Sequence, residues 1–332
     1  TGCALCAISC PTGAMAVAVS QATRLLADVQ RRTAESRKPG QAAPIVVFQY
    51  PGADSVSGVD DPMGLNPPVL RFPLAEVGHA GPDAWLGALA YGAARVILHL
   101  PADAPYAKME GFAGVLDWTR GALAEIGPAG GRIALAVGDL RWDAAGDEEQ
   151  TERPPAPFSP CQPKRDLIRC SIMHLAACEP TGDRIVPLPE GAPFGTVAVS
   201  AACTLCTACA AVCPTAALSI AGAGSELRFK EADCIQCGQC HQVCPERAVD
   251  LYPRMVAASP PHTARRLLHS EVPFDCIECG QPFATAGMVQ KMIASLDRHW
   301  MYRKEREMRL LKMCRDCRVK ALFQASGTGN RK

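Results

Sequence analysis

The 332-residue sequence lacks the features that mark several large classes of protein. It has no run of the roughly 20 apolar residues that a membrane-spanning helix needs, and aromatic residues make up only 5% of it. The formal net charge is +1, so composition does not point to nucleic acid or to an anionic membrane surface as a partner. A Gly-rich dinucleotide loop and a P-loop are also missing, which leaves a nucleotide-binding enzyme without support.

Cysteine, by contrast, is abundant, with 18 residues. Most of them fall in Cys-x2-Cys pairs or in longer runs of repeated spacing. Secreted disulfide scaffolds are usually short, whereas this pattern is typical of metal thiolates in a reducing compartment. We therefore expect a metal-binding protein with a cytoplasmic location.

Two cysteine runs with the same spacing form the strongest motif. Cys-x2-Cys-x2-Cys-x3-Cys-Pro occurs at 203–214 and again at 234–245. A [4Fe–4S] cubane takes four thiolates, and in two-cluster ferredoxins the fourth cysteine of each run ligates the other cluster. Zinc would need one set of four sulfurs rather than two interleaved sets. The spacing predicts one cluster on Cys203, Cys206, Cys209 and Cys244, and a second on Cys234, Cys237, Cys240 and Cys213.

The chain starts inside a further motif, Cys3-x2-Cys6-x3-Cys10-Pro11. Its spacing matches the last three cysteines of the longer runs. We expect a longer intact protein in which Cys3 and Cys6 bind a further [4Fe–4S] cluster, while Cys10 serves a partner cluster whose own motif lies upstream. A degenerate remnant without metal is the alternative.

Two separate Cys-x2-Cys pairs lie near the C-terminus, Cys276/Cys279 and Cys314/Cys317. Two such knuckles, far apart in sequence, suit a tetrahedral four-cysteine zinc site that would staple the C-terminal helices. A further iron–sulfur cluster is the alternative, although the x2-x2-x3 run is missing.

Apolar runs alternate with helical patterns before the cysteine-rich region. Strands are predicted at 45–48, 69–72, 95–100 and 133–137, and helices at 21–36, 82–93, 107–126 and 164–177. This alternation predicts a small parallel α/β domain.

The fold class is therefore α+β, a dicluster domain with an added parallel α/β domain and a zinc-knuckle-like C-terminal region. The predicted parts are a truncated ferredoxin-type motif (1–20), the α/β domain (21–140), a linker and helix (141–195), the dicluster domain (196–255), a four-cysteine helical region (270–322) and a disordered tail (323–332).

Residues 197–252 resemble the bacterial-type two-[4Fe–4S] ferredoxin family. The resemblance rests on the two cysteine runs and implies a βαββαβ fold and electron transfer. The order of parts is also similar to a multi-cluster ferredoxin-like protein that accompanies bacterial formate dehydrogenases. That likeness is carried by 191–195, 276–283, 299–301 and 313–318.

The expected function is therefore electron transfer, as a subunit or partner of a cytoplasmic oxidoreductase such as formate dehydrogenase. We expect no catalysis by the chain itself, because no nucleophile, acid–base pair or cofactor loop is evident. Two alternatives stay open, a redox-dependent maturation or assembly factor and a reductase with its own substrate.

Overall fold

A computed structural model describes residues 5–15, 19–37, 42–53, 67–75, 77–104, 110–127, 132–138, 153–179, 185–256 and 264–327. The chain divides into two compact units. Unit 1 comprises residues 1–195 and 253–259, and unit 2 comprises residues 196–252 and 260–332. None of the described helices combines the length and the apolar character that crossing a membrane demands.

Unit 1 is built around a four-stranded parallel sheet. Its strands are β1 (Ile45–Gln49), β2 (Val69–Pro73), β3 (Arg95–Leu100) and β4 (Ile133–Val137), in the order β2-β1-β3-β4. Val46 of β1 is in register with Leu70 on one side and with Val96 on the other. The two central strands are almost wholly buried, which explains why both read as continuous apolar runs. The predicted parallel sheet is confirmed.

Five helices of unit 1 are described: α1 (Leu5–Ser9), α2 (Val19–Ser36), α3 (Pro82–Ala90), α4 (Glu110–Ile126) and α5 (Lys164–Ala177). The core contains a pair of buried polar rings that satisfy each other. Trp85 Nε1 donates to the Tyr50 hydroxyl (3.2 Å), which donates to the carbonyl of Ala80 (2.7 Å). Phe112 packs edge-on against both rings. Burial of these polar atoms therefore leaves no hydrogen bond unmade.

Helix α5 belongs to the same core as the sheet. Its residues Leu167, Ile172 and Leu175 are buried there, and the amide of Ala156 donates to the carbonyl of Ala90 (2.7 Å). The part of the predicted linker that is described, from residue 153 onward, thus packs within unit 1. The short strand β5 (Ile185–Pro187) pairs antiparallel with residues 254–256.

Residues 195–256 contain six elements in the order β-α-β-β-α-β. They are β6 (Gly195–Val199), α6 (Ala208–Ala211), β7 (Leu218–Ala221), β8 (Glu226–Phe229), α7 (Gln239–Val243) and β9 (Val249–Val256). Strands β7 and β8 form an antiparallel hairpin, and β6 neighbours β9. This is the element order that the resemblance to ferredoxins implied.

The rest of unit 2 adds three strands and three helices to these elements. They are β10 (Arg266–Ser270), β11 (Pro273–Asp275), β12 (Pro282–Thr285), α8 (Ala286–Leu296), α9 (Glu305–Leu310) and α10 (Arg315–Gly327). Strand β10 joins the β7–β8 hairpin at β8, and β11 and β12 form a second hairpin. Helix α10 continues into the segment predicted as a tail, and residues 328–332 lie outside the described part of the chain.

Candidate iron–sulfur and metal sites

The eight cysteines of the two long motifs line two cavities. Cavity one is lined by Cys203, Cys206, Cys209 and Cys244, and cavity two by Cys213, Cys234, Cys237 and Cys240. Each encloses roughly 350 Å³, counting the part open to solvent. The last cysteine of each motif has therefore crossed to the other motif's cavity. The structure brings together the two sets of four that the spacing assigned to two clusters, and ligation itself stays a prediction.

The loops around the two cavities repeat the same backbone conformation. Leu205, Thr207 and Ala216 have positive φ angles of 53°, 66° and 52°. The residues 31 positions later, Gln236, Gly238 and Arg247, have φ angles of 53°, 76° and 50°. A left-handed conformation costs a non-glycine residue roughly 1 kcal/mol or more, and such strain gathers at binding sites. All five described non-glycine residues with positive φ belong to this repeat.

Apolar side chains form most of the remaining walls. Leu205, Leu227 and Val249 line cavity one, and Leu218 and Phe229 line cavity two, all of them buried. Such a lining lowers the local polarity and limits solvent access, two of the factors that set a cluster's reduction potential.

Several sulfurs already accept hydrogen bonds. The amide of Leu205 donates to Cys203 Sγ (3.5 Å), and the amide of Ala248 donates to Cys244 Sγ (3.3 Å). The side-chain amide of Gln236 donates to Cys234 Sγ (3.4 Å). Donors aimed at sulfur stabilise thiolates and raise cluster potentials, so the donor set fits a thiolate-bound cluster.

Burial keeps the deepest thiols protonated in the absence of a cation. Burial, together with the charge of the neighbouring cysteines, raises the pKa of Cys209 and of Cys240, two equivalent positions, to about 11. Four thiolates packed around one apolar cavity therefore need a positively charged core to exist together. The iron of a cubane would supply that charge.

The C-terminal cysteines form a much tighter group. The sulfurs of Cys276, Cys279, Cys314 and Cys317 all lie within 4.8 Å of one another, and Cys279 Sγ is 3.8 Å from Cys314 Sγ. With metal–sulfur bonds of about 2.3 Å, the corners of a tetrahedron are about 3.8 Å apart. Among the described residues this is the one group at such spacing. The geometry fits a single tetrahedral ion better than a cubane, whose thiolates bind different irons.

The knuckle at Cys276 is preformed by backbone hydrogen bonds. Its amide donates to the carbonyl of Gln281 (2.9 Å), its carbonyl accepts from Gly280 (2.8 Å), and its sulfur accepts from the amide of Cys314 (3.3 Å). Burial opposes ionisation, but the amides of Cys314, Glu278 and Cys279 outweigh it and lower the pKa of Cys276 to about 6. Hydrogen bonds among the cysteines raise the pKa of Cys317 to about 12. The group therefore holds one ready thiolate, and a bound cation would be needed to ionise Cys317 as well.

The N-terminal motif is described in part. Cys6 is exposed and Cys10 is half-buried, and Cys3 lies outside the described residues. Burial opposes ionisation of Cys10, but the Thr12 hydroxyl and nearby backbone amides lower its pKa to about 7. Lys164 of α5 donates to the carbonyls of Ala7 (2.5 Å), Ile8 (2.7 Å) and Cys10 (3.3 Å), which anchors the motif to unit 1.

Two contacts at cavity one carry no signal in the sequence. The Thr285 hydroxyl donates to the carbonyl of Thr204, between two cysteines of cavity one. Lys291 pairs with Glu246, which lines the same cavity. Residues this far apart in the chain have no local pattern that would reveal the pairing.

Comparison with known proteins agrees with the geometry. Residues 202–248, which contain all eight cavity cysteines, match the family described as a 4Fe-4S dicluster domain. This segment is therefore similar to a ferredoxin-type iron–sulfur domain. A search of the curated proteins finds none that matches this chain.

Proposed function

We propose that this chain binds two [4Fe–4S] clusters and passes electrons between redox partners. The observation that carries the proposal is the grouping of eight cysteines around two neighbouring cavities, four to each. The dicluster-domain match over the same residues supports it. Bound clusters supply one-electron chemistry, and the chain's own residues hold them, exclude water and donate hydrogen bonds to sulfur.

The proposed ligands follow from the cavity linings. Cys203, Cys206, Cys209 and Cys244 hold the cluster in cavity one, and Cys213, Cys234, Cys237 and Cys240 hold the cluster in cavity two. Cys3 and Cys6 are proposed to bind a further cluster, and Cys10 to serve a partner cluster. The low pKa of Cys10 suits a thiolate ligand.

Zinc is the ion proposed for Cys276, Cys279, Cys314 and Cys317. Sulfur spacing of 3.8 Å matches a tetrahedral four-thiolate site. The ion would fix the β11–β12 hairpin to the start of α10, since the two knuckles lie on these elements. Its role is structural, because all four positions around it are taken by protein.

The proposed partner is a cytoplasmic oxidoreductase, and a formate dehydrogenase is the first candidate to test. The proposal is supported by the resemblance of the C-terminal half to ferredoxin-like proteins that accompany such enzymes. No catalysis by the chain itself is proposed.

Anaerobic purification with metal analysis tests the proposal. We expect about eight irons and eight acid-labile sulfides per chain from the two clusters, with about one zinc. Electron paramagnetic resonance after dithionite reduction should show two interacting clusters. A chain that stays free of sulfide after anaerobic reconstitution would refute the redox function. Clusters that move to an apo-protein without accompanying electron transfer would instead favour an assembly factor.

A further inference from the structure

Thr285 ties the C-terminal part of unit 2 to the loop of cavity one. Its hydroxyl donates to the carbonyl of Thr204 (3.0 Å) and accepts from the amide of Met288 (3.3 Å). The single hydroxyl hydrogen thus bonds to the loop that contains Thr204, while a lone pair of the same oxygen caps helix α8. Thr285 is 4% exposed, so water cannot readily replace either partner. Thr204 lies between Cys203 and Cys206, which makes this contact a brace on two ligands of cavity one.

A second contact from α8 neutralises a charge at the rim of cavity one. Glu246 lines the cavity two residues after Cys244, and its side chain is 16% exposed. Its ion-pair partner is Lys291 on α8. A cluster with four thiolates is anionic, and reduction adds another negative charge. An unpaired carboxylate at the rim of the cavity would oppose reduction of the cluster, so the ion pair with Lys291 favours the reduced state.

Both contacts are carried by the element that holds the four-cysteine site. Cys276 and Cys279 lie in the turn of the β11–β12 hairpin, Thr285 ends β12, and Lys291 follows on α8. The amide of Ile277 donates to the carbonyl of Lys312 (3.2 Å), which joins this turn to the second knuckle. An ion at the four cysteines therefore restrains the hairpin that presents Thr285 and Lys291.

Cavity two provides an internal control. The contacts of Thr285 and Lys291 reach Thr204 and Glu246, which line cavity one and not cavity two. From the segment after β9, Arg266 of β10 contacts cavity two instead: it donates to the carbonyl of Val197 (3.2 Å) and lies over the ring of Phe229. Any effect that passes through the hairpin and α8 should reach cavity one and spare cavity two.

We propose that Thr285 and Lys291 are positioning residues for the cluster of cavity one, and that the four-cysteine module thereby sets the stability and potential of that cluster alone. The inference rests on the proposed function, since it requires clusters in both cavities. It assigns to the C-terminal module a role in making the two clusters unequal.

Redox titration followed by electron paramagnetic resonance tests the charge contact. Of the two midpoint potentials, Lys291→Gln should lower one, Glu246→Gln should raise the same one, and the double variant should return it towards the wild-type value. The second potential should stay constant throughout. Lys320→Gln, which removes the same charge from an exposed position on α10, is the matched control and should change neither.

Cluster release into an iron chelator tests the brace. Thr285→Val keeps the side-chain shape, and loss of its hydrogen bond should accelerate one of the two phases of bleaching about fivefold. Thr285→Ser should restore the wild-type rate. Cys317→Ser should accelerate the same phase, and adding it to Thr285→Val should give little further effect, because both act through one hairpin.

The outcomes separate this inference from the proposed function. A wild-type chain without cluster signals would refute both. Two intact clusters whose potentials and release rates are unchanged in these variants, or move together, would overturn this inference and leave electron transfer standing.

Discussion

The crossing of Cys213 and Cys244 between cavities yields the sharpest prediction for the proposed clusters. Cys213 belongs by sequence to the first motif but lies in cavity two with Cys234, Cys237 and Cys240. Replacing it by alanine should therefore abolish or degrade the cluster of the second motif. Cavity one keeps its full set of four cysteines, because Cys244 of the second motif completes it.

The expected size of the effect follows from the grouping. Each cluster contributes about four irons of a total of about eight. Cys213→Ala and Cys237→Ala should each remove about four, and the pair together should remove the same four, since both residues serve one cluster. Combining Cys213→Ala with Cys206→Ala should instead remove about eight, because these residues line different cavities.

Iron and acid-labile sulfide per chain, measured after anaerobic purification, is the assay, with the spin integral of the reduced protein as a second readout. Cys161→Ala, which removes an exposed cysteine outside both motifs, is the control. The reasoning is refuted if Cys213→Ala and Cys206→Ala together retain half the iron while Cys213→Ala and Cys237→Ala together lose it all. That reversal would mean that each motif binds its own cluster.

Three further predictions concern other sites. Cys317→Ser should release the single zinc without reducing the iron content by four, and an unchanged zinc content would contradict the tetrahedral site. Lys164→Met removes three hydrogen bonds from a half-buried ammonium to the α1 region and should lower the free energy of unfolding by about 2 kcal/mol in urea; the same change at exposed Lys320 should cost little. Burial raises the pKa of Asp83 above its ordinary value of 3.8, against the opposing charge of Lys164. A carboxyl whose pKa is higher in the folded state than in the unfolded chain destabilises the folded protein as pH rises above the unfolded pKa. Asp83→Asn should therefore raise the melting temperature at pH 7 and lose this advantage near pH 4, and a lower melting temperature at pH 7 would show that the Lys164 attraction dominates.

Local patterns were enough to predict most elements of unit 1. Strands Arg95–Leu100 and Ile133–Val137 and helix Lys164–Ala177 have the predicted bounds, because continuous apolar runs and helical spacing are read directly from neighbouring residues. The helix from Pro82 was predicted to about residue 93 and ends at Ala90. Gly92 follows with a φ of +104°, a conformation that a helix cannot include.

Backbone strain and ion pairs could not be predicted from local sequence patterns. Leu205, Thr207 and Gln236 adopt the left-handed conformation although their residue types do not favour it. Gly238 is a residue type that does favour this conformation. Their conformation is imposed by the packing of each loop around its cavity. Strain of this kind is a property of the folded state rather than of residue preference.

The sequence by itself determined where the cysteine side chains of this protein stand, how they are spaced, and which elements lie between them. These are local properties, since spacing limits how far neighbouring sulfurs can spread. Tertiary structure decided which distant groups meet, namely Thr285 with Thr204 and Lys291 with Glu246, and how closely the C-terminal sulfurs approach. Such pairings depend on the path of the whole folded chain. Burial excludes water from them and so strengthens the effect of a single hydroxyl or a single charge.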